Sequence, residues 1–311
     1  MKKKLLRIFL FGALLFVISK AFIVFNAFQI ISGIKEKHGN EFLLTYKWIS
    51  SSIDGSISIE GIELTPYTMQ KTYRISKLTL HYRDYYSLVT QFSHLKNGDM
   101  EGLEGVSLPS IQSELKGKTF KELLAAKWGE LWFSPFDIYG CGTRHHLSPE
   151  DYQLMGINKW EASLDISFAE NTLGQELLSI TLDQKALGRI KVSTETDKHV
   201  IEALVKEQNI DEISLVNLNI EHQDGGLFRR LNILCNKNEA DKRSVFSAKA
   251  ALDWKRNMFS QGLLLSDSLV ELYAHYLMQG GVLIIDAKKE DGFQLTNIKK
   301  LINKDGIKYF D

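Results

Sequence analysis

The chain has 311 residues, of which 44% are hydrophobic, and its 38 basic residues are balanced by 38 acidic ones. This hydrophobic content is typical of a folded core and excludes a largely disordered chain. A nucleic-acid-binding domain shows a basic surplus, so the net charge of zero predicts no nucleic-acid partner.

The N-terminal stretch predicts a membrane-spanning helix. A helix needs about 20 mostly apolar residues to cross a bilayer. Leu5–Phe25 has this length if Lys20, near one end, extends its side chain to the headgroups. Basic residues before the span keep the N-terminus in the cytoplasm and export the rest of the chain. Four such residues are present: Lys2, Lys3, Lys4 and Arg7.

A cleaved signal peptide is the alternative, because Ser19-Lys20-Ala21 offers small residues at the positions that a signal peptidase requires. The apolar residues after Ala21 would be an unusual N-terminus in water, which favours the uncleaved anchor. We therefore expect an anchor or signal peptide over residues 1–34. The exported α+β domain covers residues 35–311, and a subdivision near residue 140 is left open.

Alternating strands follow the anchor. Ile57 and Ile59 alternate with serines, as expected of a half-buried strand. At Glu60-Gly61 the alternation slips by one residue, which indicates a β-bulge. Tyr73–Tyr82 is the next strand of the same kind.

An anchor, the pattern Gly-x-Ile-x-Ile-x-Gly-Ile-x-Leu-x-Pro over residues 55–66 and a return strand at residues 75–80 resemble the start of AsmA-like and YdgA-like envelope proteins. The resemblance is one of apolar spacing and covers about residues 1–85. It implies a single-pass protein of the bacterial inner membrane, with a curled β-sheet body in the periplasm. Some relatives are implicated in lipid movement or outer-membrane homeostasis, so the implied partner is a lipid or an envelope protein.

The rest of the chain predicts an α+β fold. Three alternating strands in residues 160–196 indicate an antiparallel meander with one face exposed to solvent, and a fourth strand follows near residue 218. Candidate helices at Gly226–Asn236, Arg243–Phe259 and Ser266–Gln279 predict a helical C-terminal third. Since strands and helices are segregated, we expect a curled, mainly antiparallel sheet with helices packed on one face.

These strands predict an apolar face. A large exposed apolar patch is rare on soluble monomers, so helices, a partner or a ligand must cover it. One hypothesis is a residual groove that holds an acyl chain. Ten residues can point to this side of the sheet: Leu164, Ile166, Phe168, Ile180, Leu182, Ile190, Val192, Val216, Leu218 and Ile220.

The two cysteines, Cys141 and Cys235, are candidates for a disulfide because the body is expected to be exported. Two buried free thiols are the alternative. Walker A chemistry is excluded, because position 112, where its first glycine belongs, is Gln112.

Ligand-type side chains cluster weakly at His145, His146 and Asp151. Adjacent histidines usually point apart, so a polar loop entering a helix at Ser148-Pro149 is the simpler interpretation. A thiol or hydrolase enzyme built around Cys141–Asp151 is the alternative. We expect a non-enzymatic protein with no catalytic residue, cofactor or metal site, which binds a lipid-like ligand or acts as a structural interaction module.

Overall fold

The computed structural model describes the chain in twelve ranges: 2–67, 72–97, 100–114, 138–142, 147, 149–170, 175–185, 187–196, 214–235, 243–260, 265–294 and 307–310. Six α-helices lie in this part: α1 (Lys2–His38), α2 (Tyr85–Gln91), α3 (Pro149–Leu154), α4 (Leu227–Cys235), α5 (Arg243–Ser260) and α6 (Asp267–Gln279). A 3-10 helix, Phe92–Asn97, continues α2.

Within the same ranges, eleven strands form one sheet. They are β1 (Phe42–Thr45), β2 (Trp48–Ser51), β3 (Ser56–Pro66), β4 (Tyr73–Tyr82), β5 (Leu103–Glu114), β6 (Lys159–Glu170), β7 (Glu176–Gln184), β8 (Gly188–Thr196), β9 (Ser214–Asp224), β10 (Val282–Gln294) and β11 (Ile307–Phe310).

Neighbouring strands in the chain are neighbours in the sheet from β3 to β11. Both β1 and β2 pair with β3, and every pairing in the sheet is antiparallel. The predicted α+β class with an antiparallel sheet is confirmed. Strands β5 and β6 pair directly although residues 115–158 separate them, so the sheet is continuous past residue 140.

One face of the sheet carries both hydrophobic cores. Strand β6 alternates without a shift against β7. Its residues Ala162 and Leu164 pack in the first core, while Phe168, on the same face, packs against the second. The helices therefore share this face, and the opposite face carries polar rows such as Ser58, Thr79 and Ser107.

The first core lies under α3–α6. Helix residues of this core include Tyr152, Phe228 and Tyr276, and they pack with Ile111 and Leu182 of the sheet. All five are buried. At this end of the sheet β9 leads to α4, and α6 leads to β10. We call it the distal end, because it lies away from the first half of α1.

The second core joins α1 to the sheet. Ile23, Ala27 and Ile31 recur every four residues along one side of α1, and all three are buried against residues such as Ile57 and Leu88. Among the described residues, the part of α1 from Ala13 to His38 is the one helix that is long and apolar enough to cross a membrane, and its most apolar 18-residue window has a mean hydropathy of 2.1. It is also part of the core.

Helix ends follow local sequence. Asp84 precedes α2, and its carboxylate accepts a hydrogen bond from the Ser87 N–H at 2.7 Å. Ser266 caps α6 as the sequence predicts, and Gly280 ends this helix with a φ of 81°. The C-terminal third contains α4, α5 and α6, but β9, β10 and β11 also lie there, so this third is mixed.

The alternation slip at Gly61 has a different origin from the one predicted. Ile59 pairs with Leu78 and Ile62 with Ile75, an equal step on both strands, so the prediction of an extra residue against β4 is wrong. Gly61 instead takes a φ of 62°, which favours glycine. The nearby register shift lies between β5 and β6, between Leu108 and Ile111.

The structure joins Cys141 to Cys235, whose Cα atoms are 5.0 Å apart. Their positions in the chain differ by 94. The link ties the 138–142 segment to the last residue of α4, and both cysteines pack against the first core. The hydroxyl of Tyr139, in the same segment, accepts a hydrogen bond from the Asn257 side chain of α5 at 2.8 Å.

Replacing both cysteines, Cys141→Ser with Cys235→Ser, should lower the free energy of unfolding by about 2–5 kcal/mol, because the unfolded chain regains the entropy of a long open loop. Urea unfolding of the detergent-solubilised protein, followed by circular dichroism, measures the loss. Wild-type protein treated with a reductant is the control and should unfold at the same urea concentration as the double variant. Equal midpoints for the oxidised wild type and the variant would contradict the expectation.

Candidate apolar binding face

The predicted apolar residues of β6–β8 lie in three rows that run across the strands. The first row continues through β9 and β10, and it comprises Leu164, Leu182, Ile190, His222 and Leu283. The middle row comprises Ile166, Ile180, Val192, Ile220 and Ile285. The third row comprises Phe168, Leu178, Thr194, Leu218 and Ala287.

The first row lies under the helices of the distal end. Leu164, Leu182 and Leu283 belong to or pack against the first core, together with Tyr276 and Leu277 of α6. This row is therefore part of the folded core. The sequence left open whether helices, a partner or a ligand cover the apolar face, and over this row it is helices that do so.

The middle row differs from the first row, which mixes buried and half-buried residues, because all five of its members are half-buried. Among the described residues, neither hydrophobic core includes any of them. Adjacent strands are about 4.8 Å apart, so the row extends about 19 Å across five strands. All five side chains are β-branched and aliphatic, and the surface they form is continuous and apolar.

The third row mixes apolar and hydroxyl side chains. Thr194 is buried, and its hydroxyl donates a hydrogen bond to the carbonyl oxygen of Asn217 at 2.7 Å. A register shift follows, so that Thr196 pairs with Leu215 rather than with Val216. Leu215 is accordingly buried, and it takes the place on the apolar face that the alternation predicted for Val216.

His222 is the polar member of the first row. The Tyr276 hydroxyl contacts its Nδ1 and donates a hydrogen bond to its carbonyl oxygen at 3.2 Å. The ring of Phe228 meets the imidazole edge-on, with 5.9 Å between centroids. Burial lowers the pKa of His222 to about 4, so the ring is neutral near pH 7. The partner Tyr276 is 54 residues away in the chain, so no local sequence pattern indicates this contact.

The ligand-type cluster is only partly placed. His145 and His146 lie outside the described residues, and so does the predicted cap Ser148. Asp151 lies in α3 and is buried next to Tyr152, whose pKa is raised by burial. Among the described residues, no group of three histidine, cysteine or acidic side chains converges as metal ligands would.

Thiol chemistry at Cys141 meets an obstacle in the disulfide. A cysteine nucleophile acts as a free thiolate, and the sulfur of Cys141 is bonded to that of Cys235. The disulfide would have to be reduced before Cys141 could attack a substrate.

No protein-family model, curated protein or solved structure matches the chain. The function is therefore argued from the geometry of the apolar face and of α1.

His222 should make stability depend on pH. Unfolding returns its pKa from about 4 to 6.5, so between these values the unfolded chain binds more protons than the folded one. Stability from this residue is complete above pH 6.5 and is lost as the pH falls towards 4, by up to about 3 kcal/mol. His222→Gln should flatten the fall of the urea midpoint between pH 7 and pH 5. The control His81→Gln removes an exposed imidazole from the opposite face, and an equal flattening there would contradict the assignment.

Proposed function

We propose that this chain is a membrane-anchored, non-enzymatic protein of the bacterial cell envelope that binds or passes a lipid-like apolar ligand on the middle row of its sheet. The observation that carries the proposal is this row: five aliphatic side chains, half-buried, outside both hydrophobic cores of the described residues. A half-buried apolar strip still leaves hydrocarbon in contact with water, which costs free energy unless something covers it. An acyl chain is apolar, narrow and extended, and it fits a strip about 19 Å long across the strands.

The packing of α1 supports an uncleaved anchor. Cleavage after Ala21 would remove Ser19 and Lys20, which make two of the contacts between α1 and the body. Ser19 shares a hydrogen bond of 2.8 Å with the Tyr85 hydroxyl, and the Lys20 ammonium donates to the Ser51 carbonyl oxygen at 2.8 Å. A segment that is cleaved off during export would contribute none of these contacts to the mature protein.

Two features support a periplasmic body. Basic residues precede the span, which favours a cytoplasmic N-terminus, and the Cys141–Cys235 disulfide is of a kind that persists in oxidising compartments. The spacing of residues 55–66, which resembles that of AsmA-like and YdgA-like envelope proteins, supports the inner membrane of a bacterium.

A protein-interaction module without a ligand is the second candidate. It is favoured by the short strands β1 and β2 beside β3, which present Leu43 and Trp48 to solvent. Strands at the edge of a sheet can accept a strand of a partner protein. This candidate predicts no lipid contact at the middle row.

The topology is tested with reporter fusions. An enzyme that is active only in the periplasm, fused after Asp311, should be active, because the basic residues hold the N-terminus in the cytoplasm. The same enzyme fused before Met1 is the matched control and should be silent. A silent C-terminal fusion, together with an active cytoplasmic reporter at the same site, would show the opposite orientation.

Ligand binding is tested with a fluorophore on the middle row. Both native cysteines are in the disulfide, so Ile166→Cys provides a single thiol for labelling. In nanodiscs that hold the full chain, a fatty acid with a nitroxide on its acyl chain should quench this label, because the acyl chain lies along the row.

Ser167→Cys is the matched control. Ser167 is the next residue of β6 and is exposed on the opposite face, so both labels stand at the same height above the bilayer. Stronger quenching at position 166 supports the ligand. Equal quenching at both positions would contradict the proposal and favour the interaction module.

A further inference from the structure

Two turns lie side by side where α1 first meets the body. The turn between β2 and β3 holds Ile53, and the turn between β4 and α2 leads to Tyr86. The Tyr82 N–H donates to the Gly55 carbonyl oxygen at 3.0 Å. A Cβ at Gly55 would lie 2.6 Å from the carbonyl carbon of Asp84, so only glycine lets the turns approach this closely. We call this end of the sheet, residues 52–55 and 83–86, the proximal end.

The proximal end carries the two most exposed large apolar side chains of the described residues. Tyr86 is 76% exposed and Ile53 is 73% exposed. Both turns are ordered by local hydrogen bonds, since Asp54 accepts from the Ser56 N–H at 2.9 Å and Asp84 caps α2. Rigid turns therefore hold two apolar side chains outward from the body.

Contacts of α1 fix the level of this end along the helix. The ring of Tyr85 lies 5.5 Å from that of Phe16, and its hydroxyl meets Ser19. Lys20 reaches Ser51 just before the first turn. At the opposite end of this contact, the ring of His38 stacks on Phe42 with 5.9 Å between centroids. The proximal end thus stands beside residues 16–20 of α1.

The length of the apolar segment sets where the membrane must end. From Ile8, the first residue after Arg7, to Ser19 the helix rises only about 18 Å, whereas the apolar core of a bilayer is about 30 Å thick. Filling the core requires about 20 residues, which end near Ala27. This level is about 10 Å beyond Lys20, which reaches Ser51 at the proximal end.

The outer side of α1 stays apolar past this level. Beyond Lys20, the exposed large apolar side chains are Phe22, Phe25, Phe28 and Ile34, whereas Ile23 and Ala27 are buried against the sheet. The charge of Lys20 is satisfied by the Ser51 carbonyl oxygen, and its ammonium lies 5.1 Å from the centre of the Phe16 ring. Charged groups within a membrane are paired in this way with backbone carbonyls and protein dipoles.

We infer that the proximal end of the body is seated in the outer leaflet, with Ile53 and Tyr86 inserted among the lipids beside α1. The partner of this surface is the bilayer itself. The inference rests on the part of the proposed function in which α1 spans the membrane, and it is independent of a ligand on the middle row.

The contact is apolar rather than electrostatic. Hydrogen bonds from Ser56 lower the pKa of Asp54, and hydrogen bonds from Ser87 lower that of Asp84. Arg83 at this end forms an ion pair with Glu104 at 3.7 Å. Since no cationic surplus faces the membrane here, anionic lipids should not be required.

Depth-dependent quenching of a fluorophore, measured in the full chain, tests whether the proximal end is inserted in the membrane. Ile53→Cys and Tyr86→Cys are labelled with an environment-sensitive fluorophore while the disulfide stays intact. The labelled proteins are placed in phosphatidylcholine nanodiscs that contain lipids with a nitroxide on the acyl chain. Both side chains are largely exposed, so their replacement should leave the fold unchanged. We expect several-fold stronger quenching at both positions than at a label on Tyr67→Cys.

Two further labels separate the possible failures. Tyr67 is exposed after β3, near the C-terminal end of α1, because its N–H donates to the Glu41 carbonyl oxygen at 3.0 Å. Leu15→Cys reports on the span itself.

Quenching at positions 15, 53 and 86 but not 67 supports insertion of the proximal end in the membrane. Quenching at position 15 alone overturns the seat and leaves the anchor, whereas no quenching at position 15 overturns both. Quenching at positions 53 and 86 that requires anionic lipid and is lost at high salt would also overturn the apolar seat.

Discussion

One face of a continuous antiparallel sheet has to be buried, and most of this structure follows from that requirement. From β3 to β11 each strand pairs with the next in the chain, so the apolar sides of the strands add up to a single surface. Helices cover the distal end of the surface, and α1 with α2 covers the corner near β3. The middle row between them is where the described helices do not provide a core.

The two sides of α1 have different surroundings. Its buried side repeats every four residues through Ile23, Ala27 and Ile31, so this side belongs to the second core. Its other side is apolar and exposed. If α1 spans a bilayer as proposed, the sheet cannot tilt relative to the membrane without breaking the contacts that Ser19 and Lys20 make.

The distal end depends on links between distant parts of the chain. The disulfide joins the 138–142 segment to α4, and Tyr276 of α6 meets His222 of β9. A neutral histidine in this core stays uncharged only while it is buried. Packing and protonation are therefore coupled at this end of the molecule.

The sequence by itself determined the local features of the protein. Alternation predicted the strands of the meander and the side on which Ile166 and Ile180 lie, since side chains in a strand point to opposite faces in turn. Ser266 and Gly280 were readable as the ends of α6, because capping depends on neighbouring residues only.

Only the tertiary structure decided which distant residues meet. The pairing of Ile220 with Ile285 across β9 and β10, the contact between Tyr276 and His222, and the choice of Leu215 over Val216 all depend on register. The slip in alternation at Gly61 was interpreted as an extra residue, because the sequence of one strand does not show how it pairs with β4. Register and packing arise from contacts between residues that are far apart in the chain, and no local pattern encodes those contacts.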